Sequence, residues 1–403
     1  MNKLKIVWIC HFTNEEVQSL LPLWRKQDEF ASWIPNMLKG YENREDIEIH
    51  VIAPHACLKK STNFIIRNIH YNFIPYSMPF CQCKWSPIIL LDTYSNYYFF
   101  RKRIIKKINQ IQPDLINLIG AENPYYSWSV LDLKKDYPIL VLIQGFISQM
   151  KGQINLTTAA KKRIDVEESI LKKFKYYAGE QDSSTYISSY NVNHIFFKLY
   201  FPINEVLALS TKDDGKRYDC VFFGRLSKEK GVEDFIRIVA EIKVKKPDVK
   251  ACIVGGGDNH PYISLAKELD CLLNIEFTGF IKTQKELFEC VKASRIFLVT
   301  PYFERLSSTI REAMFLKVPI VAYATGGIPY INEFDENIYL VKTGDYHEMA
   351  RRTLFLLENE KQRINLTEKA YHYAVQEFSL KANTERLILA NQTILEESKN
   401  KKH

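Results

Sequence analysis

Short runs of β-branched and aromatic residues recur at 5–10, 47–53, 114–119, 139–143, 219–223, 250–254, 275–277, 296–299 and 319–322, and each predicts a buried strand. Between several of them, at 232–245 and 262–269, apolar residues return at intervals of three and four, the period of an amphipathic helix. Strands alternating with helices predict an α/β fold, with parallel sheets covered by helices on both faces. The stretch YFPINEVLALSTKDDGKR (200–217) breaks this alternation with a polar, glycine-containing segment ahead of a new strand. It places the boundary between an N-terminal domain, 1–205, and a second domain beginning at 206. No internal repeat of fixed period is visible.

A chain of 403 residues with 46% hydrophobic and 25% charged residues has the balance of a globular protein and the length of two or three domains. Fifteen glycines and fifteen prolines are spread out, so no flexible linker is expected. The net charge of +8 is uneven, because nearly all of the surplus falls in the first 200 residues. That favours an acidic partner such as phosphate or an anionic membrane face, while a sequence pI near 8.8 is too mild for a nucleic-acid binder. The longest apolar run, PILVLIQGFI (138–147), is half of the roughly 20 residues that a membrane span needs. The apolar part of MNKLKIVWIC at the start is too short for a secretory signal and reads as a first strand. The expectation is a cytoplasmic chain, at most resting on the inner face of the plasma membrane. Eight scattered cysteines predict free thiols in a reducing compartment.

Candidate chemistry concentrates in the second half. A strand at 220–223 runs into Gly224 and the loop RLSKEKG (225–231). Glycine lets the backbone approach a ligand, and Arg225 and Lys230 can then meet one anion at the carboxyl edge of the sheet; a solvated basic loop would look the same. Three glycines follow the next strand in VGGGD (254–258), but His260 stands where a dinucleotide fingerprint needs a third spaced glycine, which disfavours hydride transfer. The fullest signal is TPYFERLSSTIREAM (300–314). Two glutamates with seven residues between them flank a Ser/Thr-rich helix start, whose unpaired N–H groups and positive dipole end suit a diphosphate. Glu312 can accept hydrogen bonds from paired ribose hydroxyls, and Glu304 from a sugar hydroxyl; taken alone, two glutamates at this spacing are more often simply exposed.

Taken together, FFGRLSKEKG (222–231), VGGGD (254–258), FTGFI (277–281) and the E-x7-E segment continuing into EAMFLKVPIVAYATGGIPYINE (312–333) resemble glycosyltransferase family 4. The resemblance implies the GT-B fold of two facing Rossmann-like domains and a transferase that retains configuration. It also implies a nucleotide-sugar donor domain at 206–378 and, after QEFSL (376–380), a helix at 379–403 that returns to the first domain. On this likeness Arg225 and Lys230 neutralise the departing diphosphate, with Gly224 at the turn. The backbone of Phe280 and Ile281 borders the base, Glu312 holds the ribose, and Glu304 grips the transferred sugar. Leu306, Ser307, Ser308 and Thr309 support sugar and phosphates. Arg305 departs from the family, which usually has glycine there, and is a candidate for contact with the sugar.

No D-x-D pair occurs in the sequence, so stabilising the leaving group falls to Arg225, Lys230 and a helix N-terminus, with no metal or other cofactor required. Neither glutamate is assigned as a covalent nucleophile, because the family's stereochemistry is commonly explained by same-face attack. The implied partners are a nucleotide diphosphate sugar and a glycan or lipid-linked acceptor, and the implied setting is bacterial surface polysaccharide synthesis. A nucleotide-sugar epimerase on the same fold is the alternative, and a polyanion-binding adaptor a third reading.

The N-terminal half is less explicit. QPDLINLIG (112–120) resembles the family's acceptor domain, but His11 stands where the first loop usually has a glycine pair. Gln144 ends the strand at 139–143 where many members have histidine; it can donate hydrogen bonds but cannot take a proton. Both are acceptor-side candidates or ordinary strand-end groups. The segment YYFFRKRIIKKINQI (97–111) sets Phe100, Ile104, Ile108 and Ile111 on one helical face and Arg103, Lys106, Lys107 and Gln110 on another. It reads either as a core-facing helix or as one lying on an anionic membrane, an idea the basic clusters at 161–163 and 172–175 favour slightly. Cys81 and Cys83, and His50 with His55 and Cys57, lack a second ligand pair at zinc spacing, so no metal site is expected.

Overall fold

The computed structural model describes residues 3–12, 14–22, 33–55, 58, 60–75, 94–152 and 156–400. It divides into two compact units, Met1–Phe201 with Asn383–His403, and Pro202–Ala382. The first division thus falls four residues before the position read from charge and polarity.

The first unit is built on eight strands in the order β3-β4-β2-β1-β5-β6-β7-β8: β1 (Leu4–Ile9), β2 (Ile47–His55), β3 (Thr62–Ile66), β4 (Ile69–Pro75), β5 (Leu115–Ile119), β6 (Ile139–Ile143), β7 (Tyr176–Gly179) and β8 (Ile195–Lys198). In register, Ile6 of β1 lies between Ile49 of β2 and Leu115 of β5. Alternate side chains feed two cores, one around Ile6, Trp8, Ile49 and Leu115 and the other around Val7, Ile9, Ile116 and Val141, as expected of a sheet buried on both faces. The pairing is parallel except at the edge, where β3 runs antiparallel to β4, a departure from the all-parallel expectation. Arg67 and Asn68, both at positive φ, make the two-residue turn that only an antiparallel hairpin allows.

Tyr98–Ile111 forms the expected amphipathic helix, and its Phe100, Ile104 and Ile108 are buried in the second of these cores. The apolar face that a bilayer would need is therefore used within the unit. Two of its cations are engaged too: Arg101 pairs with Asp132 at 3.1 Å, and Arg103 donates to the Pro75 carbonyl. Of the basic clusters, Lys175 pairs with Glu397 at 2.6 Å and Lys173 donates to the Leu131 carbonyl. Among the described residues, no helix is long and apolar enough to cross a membrane.

The second unit holds six parallel strands in the order β11-β10-β9-β12-β13-β14: β9 (Tyr218–Phe223), β10 (Ala251–Val254), β11 (Ile275–Gly279), β12 (Ser294–Val299), β13 (Ile320–Tyr323) and β14 (Tyr339–Val341). The helix Val232–Lys245 buries Phe235, Ile236, Val239 and Ile242 against this sheet. In both sheets the first strand is central and the chain returns on its other side, so β1/β5 and β9/β12 are the topological switch points. Ligands of open α/β sheets bind outside the carboxyl ends of strands at such points. The last helix, Leu380–Asn400, starts in the second unit and adds Leu387, Ile388, Ala390 and Ile394 to the core of the first.

Candidate functional site

At the carboxyl end of β9 the chain turns through Gly224 and exposed Arg225 into a short 3-10 turn, Lys228–Lys230, and then into the helix Val232–Lys245 through Gly231 at φ 70°. A Cβ on Gly231 would lie 1.8 Å from the Thr300 carbonyl oxygen, so glycine is what lets the loop after β12 pass here. Two hydrogen bonds lock the loops together. The Thr300 hydroxyl donates to the Gly231 carbonyl at 2.9 Å, and the Tyr302 N–H donates to the Glu229 carbonyl at 2.8 Å.

This places Lys230 against Glu304, and the two form a half-buried ion pair. Glu304 is held from behind by Gly326, at φ 55°, whose absent Cβ would collide with the Glu304 carbonyl oxygen. The TGG run after β13 therefore serves as a support for the Glu304–Arg305 backbone. The next residues open the helix Ser308–Phe315 as the Ser/Thr pattern predicts: Ser307 is the N-cap, its hydroxyl accepts from the Thr309 N–H at 3.3 Å, and the two hydroxyls lie 2.8 Å apart. Gly224, Lys230, Glu304, Ser307 and Thr309 line one cavity of about 40 Å³. Leu306 is buried beneath this helix start, Ser308 is exposed and Arg305 is half-buried.

The glycine run after β10 packs on the same turn. The Leu226 N–H donates to the Gly256 carbonyl at 2.9 Å, and Gly255, at φ 155°, leaves room for the Gly224 carbonyl. The Phe280 ring lies beside Gly256 and is otherwise exposed, with Ile281 half-buried next to it. Glu312 is buried in its helix, and burial pushes its carboxyl up from 4.5 to about 7, with the Arg311 guanidinium opposing the shift. Gln284, which sequence reasoning missed, donates from Nε2 to Glu312 Oε1 at 3.3 Å. Its only sequence signal is its place at the first position of the helix after FTGFI. Asp234 was missed as well. Buried in its helix, it accepts from Tyr302 at 2.6 Å and from Tyr323 at 2.8 Å, which ties the Glu304 loop to the helix after β9.

The acceptor-side candidates belong to the first unit. His11 follows β1, half-buried between Tyr125 and Tyr126, with its Nδ1 3.3 Å from the Tyr125 hydroxyl. Burial, aided by the Arg163 charge, pushes its imidazole down to about 4, so it is neutral at physiological pH. Beyond β5, Glu122 accepts from Asn123 Nδ2 at 2.9 Å and lies 3.8 Å from the Arg163 guanidinium; burial raises its carboxyl. Gln144 is exposed at the end of β6. Cys57, Cys81 and Cys83 lie outside the described residues, whereas Cys10, Cys220, Cys252, Cys271 and Cys290 are free and buried.

Residues 205–373 match the family described as glycosyl transferases group 1. A D-inositol 3-phosphate glycosyltransferase of Corynebacterium aurimucosum is 31% identical over 173 residues, 41% of each chain, so the match spans about two fifths of that curated relative's length. An N,N'-diacetylbacillosaminyl-diphospho-undecaprenol alpha-1,3-N-acetylgalactosaminyltransferase of Campylobacter jejuni is 23% identical over 362 residues, 84% of this chain and 89% of its own. Among solved structures, a sucrose-phosphate synthase of Thermosynechococcus elongatus superposes with a TM-score of 0.71 at 15% identity, covering 97% of this chain and 99% of that one. HepE of Anabaena in complex with UDP gives 0.67 at 15% identity over 97% and 100%. The fold is GT-B, as the motifs implied.

Proposed function

We propose that this chain, whose residues 205–373 match the group 1 glycosyl transferases, moves a hexose-type sugar from a nucleotide diphosphate sugar to a glycan or lipid-linked glycan, with retention of configuration. The observation that carries the reading is the Lys230–Glu304 pair facing the Ser307-capped helix start in one cavity. Leaving-group departure puts negative charge on the diphosphate, and preorganised cations and helix N–H groups lower the cost of that charge. Lys230 is the cation nearest to hand, and Arg225 is exposed on the adjoining turn. When the diphosphate takes Lys230, Glu304 is released from its ion pair and becomes an acceptor for a hydroxyl of the transferred sugar. Donor binding thus exchanges one charge pair for two ligand contacts. Glu312, buried behind and hydrogen-bonded by Gln284, is suited to the ribose. With two protein cations on the diphosphate, the transfer needs no metal or cofactor.

The acceptor side rests on His11, Gln144 and the family likeness. The undecaprenol-linked substrate in the name of the Campylobacter relative favours a lipid-linked acceptor, and with it work at the cytoplasmic face of the membrane in bacterial surface polysaccharide synthesis.

Thermal shift with UDP, GDP and ADP, with and without EDTA, tests the donor site first. A ligand at 100 times its Kd stabilises by about 2.7 kcal/mol, so one nucleotide should raise Tm and EDTA should leave the shift intact. Glu304→Ala and Arg225→Ala should each lower transfer by roughly 10²–10³-fold, the usual cost of losing one such electrostatic contact. Full activity in both variants would refute the reading.

A further inference from the structure

On the first sheet, Glu48 and His50 stand two residues apart on β2, and alternation puts both on one face. His70 on β4 is the register partner of His50, so its side chain emerges on the same face beside it. The two imidazoles stack with centroids 4.5 Å apart and planes 29° from parallel, and His50 Nε2 lies 2.5 Å from Glu48 Oε1. One donor atom from each of the three residues lies within 4.8 Å of the other two. All three are half-buried, which shields them partly from water without closing them to a small ion.

We propose that Glu48, His50 and His70 form a binding site for a zinc-class divalent transition metal that staples β2 to β4. Two imidazoles and one carboxylate are ligands that Zn²⁺ accepts, and three protein ligands leave a fourth position for water. With metal–ligand bonds of about 2.0–2.1 Å, tetrahedral donors sit roughly 3.3 Å apart, so the set closes by side-chain rotation of about an ångström, with the backbone positions already fixed by strand register. The opposing charge on this face is Lys5, the register partner of Glu48 on β1, and the Glu48 carboxylate offsets it. The staple would join the strand pair that carries the antiparallel edge strand β3, and it belongs to a different unit from the donor site, so it does not rest on the transferase reading.

The test is a titration of full-length, EDTA-stripped protein with Zn²⁺ by calorimetry and with Co²⁺ by visible absorption. Wild type should take up one equivalent that raises Tm. The His50→Gln/His70→Gln double variant should lose at least tenfold in affinity for that equivalent, together with the Tm rise and the cobalt absorption band. Glu48→Gln, which keeps the side-chain shape, should weaken binding by a similar factor. No uptake by wild type, or uptake equal in wild type and double variant because thiols elsewhere bind the ion, overturns the proposal. Circular dichroism checks that the variants are folded; if the double variant is not, unchanged zinc affinity in Glu48→Gln and His70→Gln taken singly is the refuting result.

Discussion

At Glu312 burial works against the charge that the proposed ribose contact requires. Its carboxyl is raised from 4.5 to about 7 by desolvation, so the folded, ligand-free protein holds its proton more tightly than the unfolded chain does. A raised folded value stabilises the protonated form; that stability is fully present below about 4.5 and is lost as pH rises through about 7. Glu312→Gln should therefore flatten the pH dependence of Tm between 5 and 8 and leave the ligand-free protein more stable than wild type at pH 8. If Glu312 holds the ribose as proposed, the same variant should weaken nucleotide binding most at high pH, where the wild-type carboxylate is ionised and can accept hydrogen bonds from two hydroxyls. Thermal melts from pH 5 to 8, without and with nucleotide, check both effects. A second residue-scale case is Gly231, where φ is 70° and a Cβ would lie 1.8 Å from a backbone oxygen. Gly231→Ala should cost more than about 2 kcal/mol, the range of mutations that combine backbone strain with a steric clash, read from chemical denaturation.

At the scale of elements, the geometry of the proposed donor site depends on how the loop after β12 is held. Its backbone leans on the turn after β9 at Thr300 and Tyr302 and on Gly326 behind Glu304. The side-chain anchor is Asp234, which receives the hydroxyls of Tyr302 and Tyr323 and pairs with Arg237 at 3.2 Å. Asp234→Ala leaves two tyrosine hydroxyls without their acceptor, one of them, Tyr323, fully buried, and should cost about 2–4 kcal/mol. Tyr302→Phe removes one bond and should cost about 1 kcal/mol. Both should lower kcat more than they raise the donor KM, since they loosen Glu304 without touching the turn that carries Arg225. Paired melting curves and steady-state kinetics on the two variants separate these effects.

At the scale of the whole molecule, two units with separate cores are tied by a chain that crosses twice, and the second crossing ends in the helix Leu380–Asn400. That helix contributes apolar side chains to the first core. Asn383 also accepts from the Tyr200 N–H at 2.8 Å, and Glu397 accepts from Lys175 and Tyr176. Truncation after Ser379 should strip hydrogen-exchange protection from β1, β2 and β5 while leaving β9, β10 and β12 protected. Nucleotide-induced stabilisation of the second unit should survive the truncation. Loss of protection in both units alike would show that their stabilities are coupled.

Nine of the strands are legible in the sequence because each carries a dense apolar run, and the helix Val232–Lys245 is legible to the residue from its period. Five strands among the described residues are not. The hairpin β3–β4 mixes Asn, Arg and His with isoleucine, and β7, β8 and β14 are three or four residues long, too short for a period to register. The Ser307 cap and the glycine turns are legible because local backbone chemistry dictates them, and Glu304 and Glu312 because their spacing resembles a known family's motif. Asp234 and Gln284 are not, since an acid in a helix and a glutamine at a helix start look like solvent-facing residues until a distant element covers them. The same holds for the pairing of Lys230 with Glu304, 74 positions apart, and for the Glu48, His50 and His70 cluster, which exists only because β4 pairs with β2 in one register. The sequence by itself determined the alternation of strands and helices, the turn glycines and the residue types of the donor-side chemistry, all of which follow from short-range sterics and hydrophobic period. Which charges meet, which carboxyl loses its water and which face of the helix Tyr98–Ile111 is buried were decided only by the tertiary structure, because contact, desolvation and register depend on residues far apart in the chain.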